Sequence, residues 1–334
     1  IIKLSSNENP YGPSPKINEI LQSKDFLTKL HRYPEIDGSS LRQAISKYHS
    51  IDPDRIILGS GSDEILLFAA LAFCQDGDEI LHANHGFEMY SIVSKIVGAV
   101  PKKIIEDSNF NIKTDSLVDQ ISDATKVIYV ASPNNPTGTY LTRNQILDLM
   151  KKIPKNIIVV IDGAYVEYVE DINYDKGFSL LNEFDNLILT RTFSKTYGLA
   201  ALRIGWCYTS EKVANIINKI KPPFNTTAIS QSIAIKALED KEYIDDIVKL
   251  NFDIKRWFES QLKLLNIKAR STEGNFSLIE SSNETIDKIY NHLINDGIIT
   301  RRLNSYDLSN FLRISIGTKE EMEETIKSLQ SFNE

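Results

Sequence analysis

Lys195 closes the segment Thr192-Phe193-Ser194-Lys195, just after the apolar run Leu187–Leu189, and Arg203 follows it across a small, apolar stretch. Most lysines are solvated surface residues. A lysine that follows a strand, sits beside hydroxyls and has a second cation nearby is instead suited to capture a carbonyl as a Schiff base. Asp162 ends the most apolar run of the chain, Ile157–Ile161, and is followed by Gly163-Ala164-Tyr165. An acid at that depth is costly unless it meets a cation or several donors, and a helix cap or a structural ion pair would serve it equally. Ser132-Pro133-Asn134-Asn135-Pro136-Thr137-Gly138 follows the run Lys126–Ala131. Its prolines and glycine already make a turn, but adjacent amides at a strand's carboxyl end need partners, and a ring hydroxyl of a ligand is one.

Gly59-Ser60-Gly61-Ser62-Asp63-Glu64 follows Ile56–Leu58 and opens a helix, so its N–H groups can face an anion such as phosphate. It is neither a Walker loop nor Gly-x-Gly-x-x-Gly, and a strand-to-helix turn capped by Ser62 or Asp63 accounts for it as well. Arg313 lies within the apolar run Phe311–Ile316, as an edge residue or as a clamp for a carboxylate or phosphate. Arg301 and Arg302 add positive charge to the same part of the chain.

The elements that must position these groups alternate. Short apolar runs (Ile56–Leu58, Glu79–Leu81, Lys126–Ala131, Ile157–Ile161, Leu187–Leu189, Ile204–Tyr208) are interleaved with helix-period segments (Ile65–Phe73, Met89–Val97, Ile146–Ile153). That alternation predicts a mostly parallel sheet covered by helices on both faces, with ligands at the carboxyl ends of its strands. Residues 1–36 are rich in Asn, Gly and Pro and predict an arm with only a short helix around Ile17–Leu21. Residues 37–237 form the large α/β unit. Residues 238–334 form a smaller α+β unit, entered through a helical stretch from Ala228 to about Leu265. Its later elements are Phe276–Ile279, a helix over Thr285–Asn295, Ile298–Thr300, Phe311–Ile316 and a last helix from Lys319.

Composition narrows the partners. The 334 residues carry a formal net charge of −7, which disfavours nucleic acid and anionic membranes. No apolar run reaches the roughly 18 residues a spanning helix needs. Cys74 and Cys207 are far apart, so a disulfide scaffold and a cysteine metal site are excluded, no metal is expected, and a reducing cytoplasmic setting fits. The chain opens on Ile1 rather than Met, so a natural N-terminal segment is expected to precede it.

One cofactor asks for all these groups together. Pyridoxal 5′-phosphate needs an amine for its aldehyde, an acid against its ring nitrogen, donors for its phenolic oxygen and a cup for its phosphate. Lys195 would be the amine and Asp162 the acid. Asn135 and Tyr165 would serve the phenolic oxygen. The backbone of Gly61, Ser62 and Asp63, with Ser194 and Arg203, would form the cup, and Thr192 adjoins it.

With these residues the chain resembles the fold-type I pyridoxal-phosphate enzymes, and within their class II aminotransferases the histidinol-phosphate aminotransferase family. The resemblance rests on Ser6-Asn7-Glu8-Asn9-Pro10-Tyr11-Gly12-Pro13-Ser14, Arg32-Tyr33-Pro34, Ser132–Gly138, Asp162–Tyr165, Thr192–Lys195, Leu202-Arg203 and Leu312-Arg313-Ile314. It implies a seven-stranded, mostly parallel sheet sandwiched by helices, with a smaller α+β C-terminal domain. It also implies that Lys195 holds the cofactor and shuttles a proton, that Asp162 keeps the ring nitrogen protonated, and that Phe87 stacks on the ring. Tyr33 would reach the phosphate of a neighbouring subunit, giving a homodimer with shared sites. Arg313 resembles the carboxylate-binding arginine, Tyr11 and Arg301 would meet the substrate's distal acidic group, and Asn9 and Asn275 would touch the substrate. Gly163 and Ala201 depart from the family pattern, which more often has Glu and Gly there. The implied reaction is ping-pong transfer from L-histidinol phosphate to 2-oxoglutarate. An aromatic aminotransferase, a phosphothreonine-type decarboxylase and a non-catalytic pyridoxal-phosphate-binding domain are the competing readings.

Overall fold

A computed structural model of the chain describes residues 1–23, 28–270 and 272–333. Residues 24–27 of the expected arm, and 271 and 334 of the expected C-terminal unit, lie outside the described residues. The chain enters through a two-residue strand, β1 (Ile2–Lys3), and then builds β2 (Ile56–Gly59), β3 (Glu79–Ala83), β4 (Val100–Ile104), β5 (Thr125–Ala131), β6 (Ile158–Asp162), β7 (Leu187–Thr192) and β8 (Gly205–Thr209). The last seven form one sheet in the order β2-β8-β7-β6-β5-β3-β4. All neighbours pair in parallel except β8, which runs antiparallel to both β2 and β7.

The central strands are buried on both faces, and their side chains alternate between two cores. Ile128, Val130, Val159, Ile161 and Leu189 pack on one side with Leu41, Ile45, Ile146 and Leu149 from helices Ser39–His49 and Arg143–Lys152. Val127, Tyr129, Ile158, Val160 and Ile188 pack on the other with Ile65, Leu66, Val93 and Ile217 from helices Ser62–Phe73, Met89–Ile96 and Glu211–Ile220. Each such aliphatic side chain contributes about 1.5–3 kcal/mol on burial, which fixes the sheet as the frame for everything at its carboxyl edge. The expected layered α/β fold is present.

A second sheet lies after residue 265. It contains β9 (Lys268–Arg270), β10 (Phe276–Glu280), β12 (Arg301–Arg302) and β13 (Phe311–Ser315), antiparallel in the order β12-β13-β10-β9. Its outer face packs through Ile279, Leu312 and Ile314 against Ile254, Phe258 and Leu262 of helix Lys241–Leu264 and against Ile286 and Leu329 of the two last helices.

Several elements differ from the sequence expectation. The seventh strand of the large sheet, β4, has the sequence Val-Pro-Lys-Lys-Ile and escapes a search for apolar runs; it is an edge strand, where proline and lysine are tolerated. The single helical stretch expected from Ala228 to Leu265 is two helices, Ala228–Leu238 and Lys241–Leu264. Asp240 breaks it, accepting a short hydrogen bond from Ser14 Oγ and an ion pair from Lys16 at 3.2 Å. The expected run Ile298–Thr300 is the shorter strand β11 (Ile298–Ile299), which pairs with β1, and the next strand, β12, begins at Arg301 and joins β13. Among the described residues no helix is long and apolar enough to cross a membrane.

Candidate active site

A cavity of about 190 Å³ opens at the carboxyl edge of the large sheet. Its walls include Ser62, Asp63, Phe87, Tyr90, Asn135, Asp162, Tyr165, Thr192, Ser194, Lys195 and Arg203. These residues come from the segments at the ends of β5, β6 and β7, the start of helix Ser62–Phe73, the loop before helix Met89–Ile96 and its first turn, and the turn before β8.

Asp162 is the last residue of β6 and is 4% exposed. Its carboxylate accepts Tyr90 Oη–H at 2.9 Å and Thr190 Oγ1–H at 2.8 Å. Thr190 is in place because it stands directly opposite Asp162 in the β6–β7 register. Burial raises the Asp162 pKa, and the two hydroxyl donors oppose that rise without cancelling it. The result is a buried acid held in one orientation by two hydroxyl donors, with no ion-pair partner among the described residues.

Lys195 is half-buried across the cavity. Its Nζ donates to the Ser6 carbonyl at 3.1 Å and lies 5.7 Å from the centre of the Tyr165 ring. The Tyr165 hydroxyl accepts from Asn7 Nδ2 at 3.0 Å, and Asn7 is pinned in turn by its backbone N–H donating to Ser315 Oγ at 2.8 Å. The N-terminal segment therefore closes one wall of the cavity.

The opposite end is an anion cup. Arg203 donates through Nη2 to Asp63 at 3.0 Å and through Nη1 to the Ala200 carbonyl at 3.1 Å, with Ser194 Oγ at 3.4 Å. It reaches over Gly61, whose φ is +80°; a β-carbon there would sit 2.6 Å from Arg203 Nη2. A β-carbon there would push the guanidinium away from the first turn of helix Ser62–Phe73, where unpaired backbone N–H groups already favour negative charge.

On the side of the small sheet, Arg313 is 5% exposed and donates to Asn135 Oδ1 and, at 2.6 Å, to the Ser5 carbonyl. Its Nε is buried with no partner among the described residues. Burial lowers the Arg313 pKa. A buried guanidinium with an unused N–H is a waiting donor for an acid.

Comparison with known proteins agrees with this geometry. The family model for aminotransferase class I and II matches residues 1–329. The chain belongs to the class I and II aminotransferases. Among curated relatives of this aminotransferase, a histidinol-phosphate aminotransferase of Pelagibacter ubique is 40% identical, covering 98% of this chain and 92% of the relative. Another of that name, from Zymomonas mobilis, is 38% identical over 99% of this chain and 90% of its own. The crystal structure of the histidinol-phosphate aminotransferase of Sinorhizobium meliloti in complex with pyridoxal-5′-phosphate has a TM-score of 0.93, covering 99% of this chain and 90% of that one at 21% identity.

The aminotransferase does not bring every candidate residue into the cavity. Tyr33, 81% exposed, stacks on Phe224 at 4.6 Å in a separate surface hollow. Tyr11, Asn9 and Asn275 line a different, narrow cleft. Asn9 Nδ2 is spent on the carbonyls of Gly12 and Thr196, both at 3.0 Å, and Asn275 Nδ2 on Asn7 O at 2.9 Å. In this conformation both amides tie the N-terminal segment down. Gly61 backs the cup without lining it, and Arg301 stands on β12 directly opposite Arg313. The departure at Gly163 has a local cause: the Arg191 guanidinium fills the space where a β-carbon would be, donating to the Thr190 carbonyl at 2.6 Å. Ala201 is exposed, and nothing in the structure explains its departure. Sequence reasoning missed Tyr90, Thr190 and Asn7. Thr190 was within reach through its strand register, whereas the Tyr90–Asp162 contact spans 72 positions of sequence.

Proposed function

We propose that this aminotransferase uses pyridoxal 5′-phosphate to move the amino group of L-histidinol phosphate to 2-oxoglutarate, giving imidazole acetol phosphate and L-glutamate in histidine biosynthesis. The observation that carries the reading is the placement of an amine, Lys195, and a buried, cation-free acid, Asp162, on one cavity whose far end is an anion cup. The residues fit the cofactor: the glycine-floored cradle under Arg203 suits a phosphate, and Asp162 lacks the positive partner that a protonated ring nitrogen supplies.

When bound, the cofactor supplies an aldehyde for the amino group and a ring that draws off the electron pair left at the substrate carbon. With the cofactor bound, Lys195 Nζ would take the proton from that carbon and carry it to the carbon on the other side of the shared nitrogen. Asp162 holds the ring-nitrogen proton, and Tyr90 and Thr190 keep its two oxygens from turning. Asn135 and Tyr165 meet the phenolic oxygen, while Phe87 covers one ring face. Ser62, Asp63, Thr192, Ser194 and Arg203 retain the phosphate. Arg313 binds the substrate carboxylate, Tyr11 and Arg301 meet the distal acidic group, and Asn9 and Asn275 touch the substrate. These roles divide the chain into an arm (1–36), a cofactor-binding unit (37–237) and a smaller unit (238–334). The exposed Tyr33 belongs to a homodimer contact in which it reaches the partner's phosphate. The separated thiols of Cys74 and Cys207 fit a cytoplasmic enzyme.

The test is a side-by-side assay with L-histidinol phosphate, phenylalanine and phosphothreonine, each with 2-oxoglutarate. Glutamate should form fastest with L-histidinol phosphate. Preference for phenylalanine would move the assignment to aromatic substrates, and release of carbon dioxide from phosphothreonine would replace transfer by decarboxylation.

A further inference from the structure

Glu88 stands at the N-terminus of helix Met89–Ile96, next to Phe87, yet its side chain does not cap that helix. It reaches instead to the small sheet, where Glu88 Oε2 lies 3.8 Å from Arg301 Nη2. The two side chains are 36% and 46% exposed, and among the described residues the Arg301 guanidinium makes no hydrogen bond. Arg301 faces Arg313 directly across the β12–β13 pair, an arrangement of like charges that is unfavourable without an anion between or beside them. Tyr306 marks the same cluster: its pKa is pushed up to about 12 by burial and by Glu88, with Arg313 and Arg301 acting in the opposite sense. Arg313, meanwhile, keeps one N–H unused. The cluster therefore holds two cations, and one carboxylate of the protein offsets the outer of them.

We propose that Glu88 is a specificity-determining residue: it competes for Arg301 with the distal acidic group of a ligand, and so narrows the advantage that an acidic ligand has over a neutral one. The Glu88–Arg301 pair is long and half-solvated, so a carboxylate or phosphate that can approach to hydrogen-bond distance displaces it. A neutral distal group cannot, and such a ligand leaves the pair as it is. Glu88 thereby lowers affinity for every ligand that needs Arg301 and has no effect on ligands that do not. This inference rests on the proposed role of the site in binding acidic substrates, and it goes beyond that role in assigning the competing charge.

The test is calorimetric titration of the cofactor-loaded protein with glutarate, which carries a distal carboxylate, and with 3-phenylpropionate, which does not. Glu88→Gln should tighten glutarate binding about five-fold, the size expected for one half-exposed ion pair, and leave 3-phenylpropionate within about two-fold. Glu88→Asp, which keeps the charge on a shorter reach, should fall between wild type and Glu88→Gln. Equal shifts for both ligands, or no shift for glutarate, would overturn the assignment. A wild-type protein that binds glutarate but does not turn over L-histidinol phosphate would defeat the proposed reaction while leaving the role of Glu88 to be decided by the same titrations.

Discussion

Tyr90 donates its hydroxyl to Asp162 at 2.9 Å, joining a helix on one face of the sheet to the end of its central strand. Both groups are buried, and each pushes the other's pKa in a definite direction. The carboxylate raises the tyrosine, while the tyrosine holds down an acid that burial drives up. The pair fixes a buried acid in the cavity wall, its pKa raised by burial and held back by its hydroxyl donors.

That arrangement sets function against stability. An acid whose folded-state pKa is raised binds a proton in the folded protein that the unfolded chain has lost. Its contribution therefore falls as pH rises from the usual carboxylate range, 3.8, through the raised value. Asp162→Asn should accordingly hold or raise the melting temperature of the cofactor-free protein at neutral pH and flatten that part of its pH dependence. The same variant should lose about 10²–10⁴-fold in amino-transfer rate, the scale of a missing acid–base group. A variant that melts lower than wild type at neutral pH would show that the carboxylate is a structural asset instead.

Arg203 and Gly61 form one unit. Arg203→Ala should weaken cofactor retention about 10- to 100-fold, the loss of a charge-assisted contact to a phosphate. Gly61→Ala should do the same without touching a charge, because its β-carbon meets Arg203 Nη2 and its φ of +80° suits glycine. Equilibrium dialysis against free cofactor measures both, and unchanged retention in either variant would remove that residue from the cup.

The sequence made the strand ends legible. Asp162, Asn135 and Lys195 each follow a continuous apolar run, where a doubly covered parallel sheet leaves its ligand groups, and Arg313 stands out as a cation within an apolar run of the small antiparallel sheet. The partners of those groups were hidden. Tyr90 reads as a core aromatic at helical spacing, and only the packing of its helix on the sheet turns its hydroxyl onto Asp162. The edge strand Val100–Ile104 and the break at Asp240 were hidden for a related reason. An edge tolerates polar residues, and a helix can be ended by a contact from far along the chain, here Ser14.

His49 supplies an acid-sensitivity test away from the site. Its ring packs among Tyr48, Phe178 and Trp206, and burial, with Arg191 and Lys176 nearby, lowers its pKa to about 3 from 6.5. A histidine kept neutral in the fold gives its full contribution above 6.5 and loses it as pH falls toward 3, at about 1.4 kcal/mol per pH unit. His49→Phe should flatten the acid limb of a denaturation series between those values. A limb of unchanged slope would assign the acid sensitivity to other groups.

Lys195 carries the central claim. Lys195→Ala should reduce amino transfer by at least about 10³-fold. The most direct measurement is borohydride reduction of the cofactor-loaded protein followed by mass mapping of its peptides. A single cofactor adduct is expected on the peptide containing Lys195, lost in Lys195→Ala. An adduct fixed on another lysine, or wild-type protein that turns over without any adduct, would contradict it.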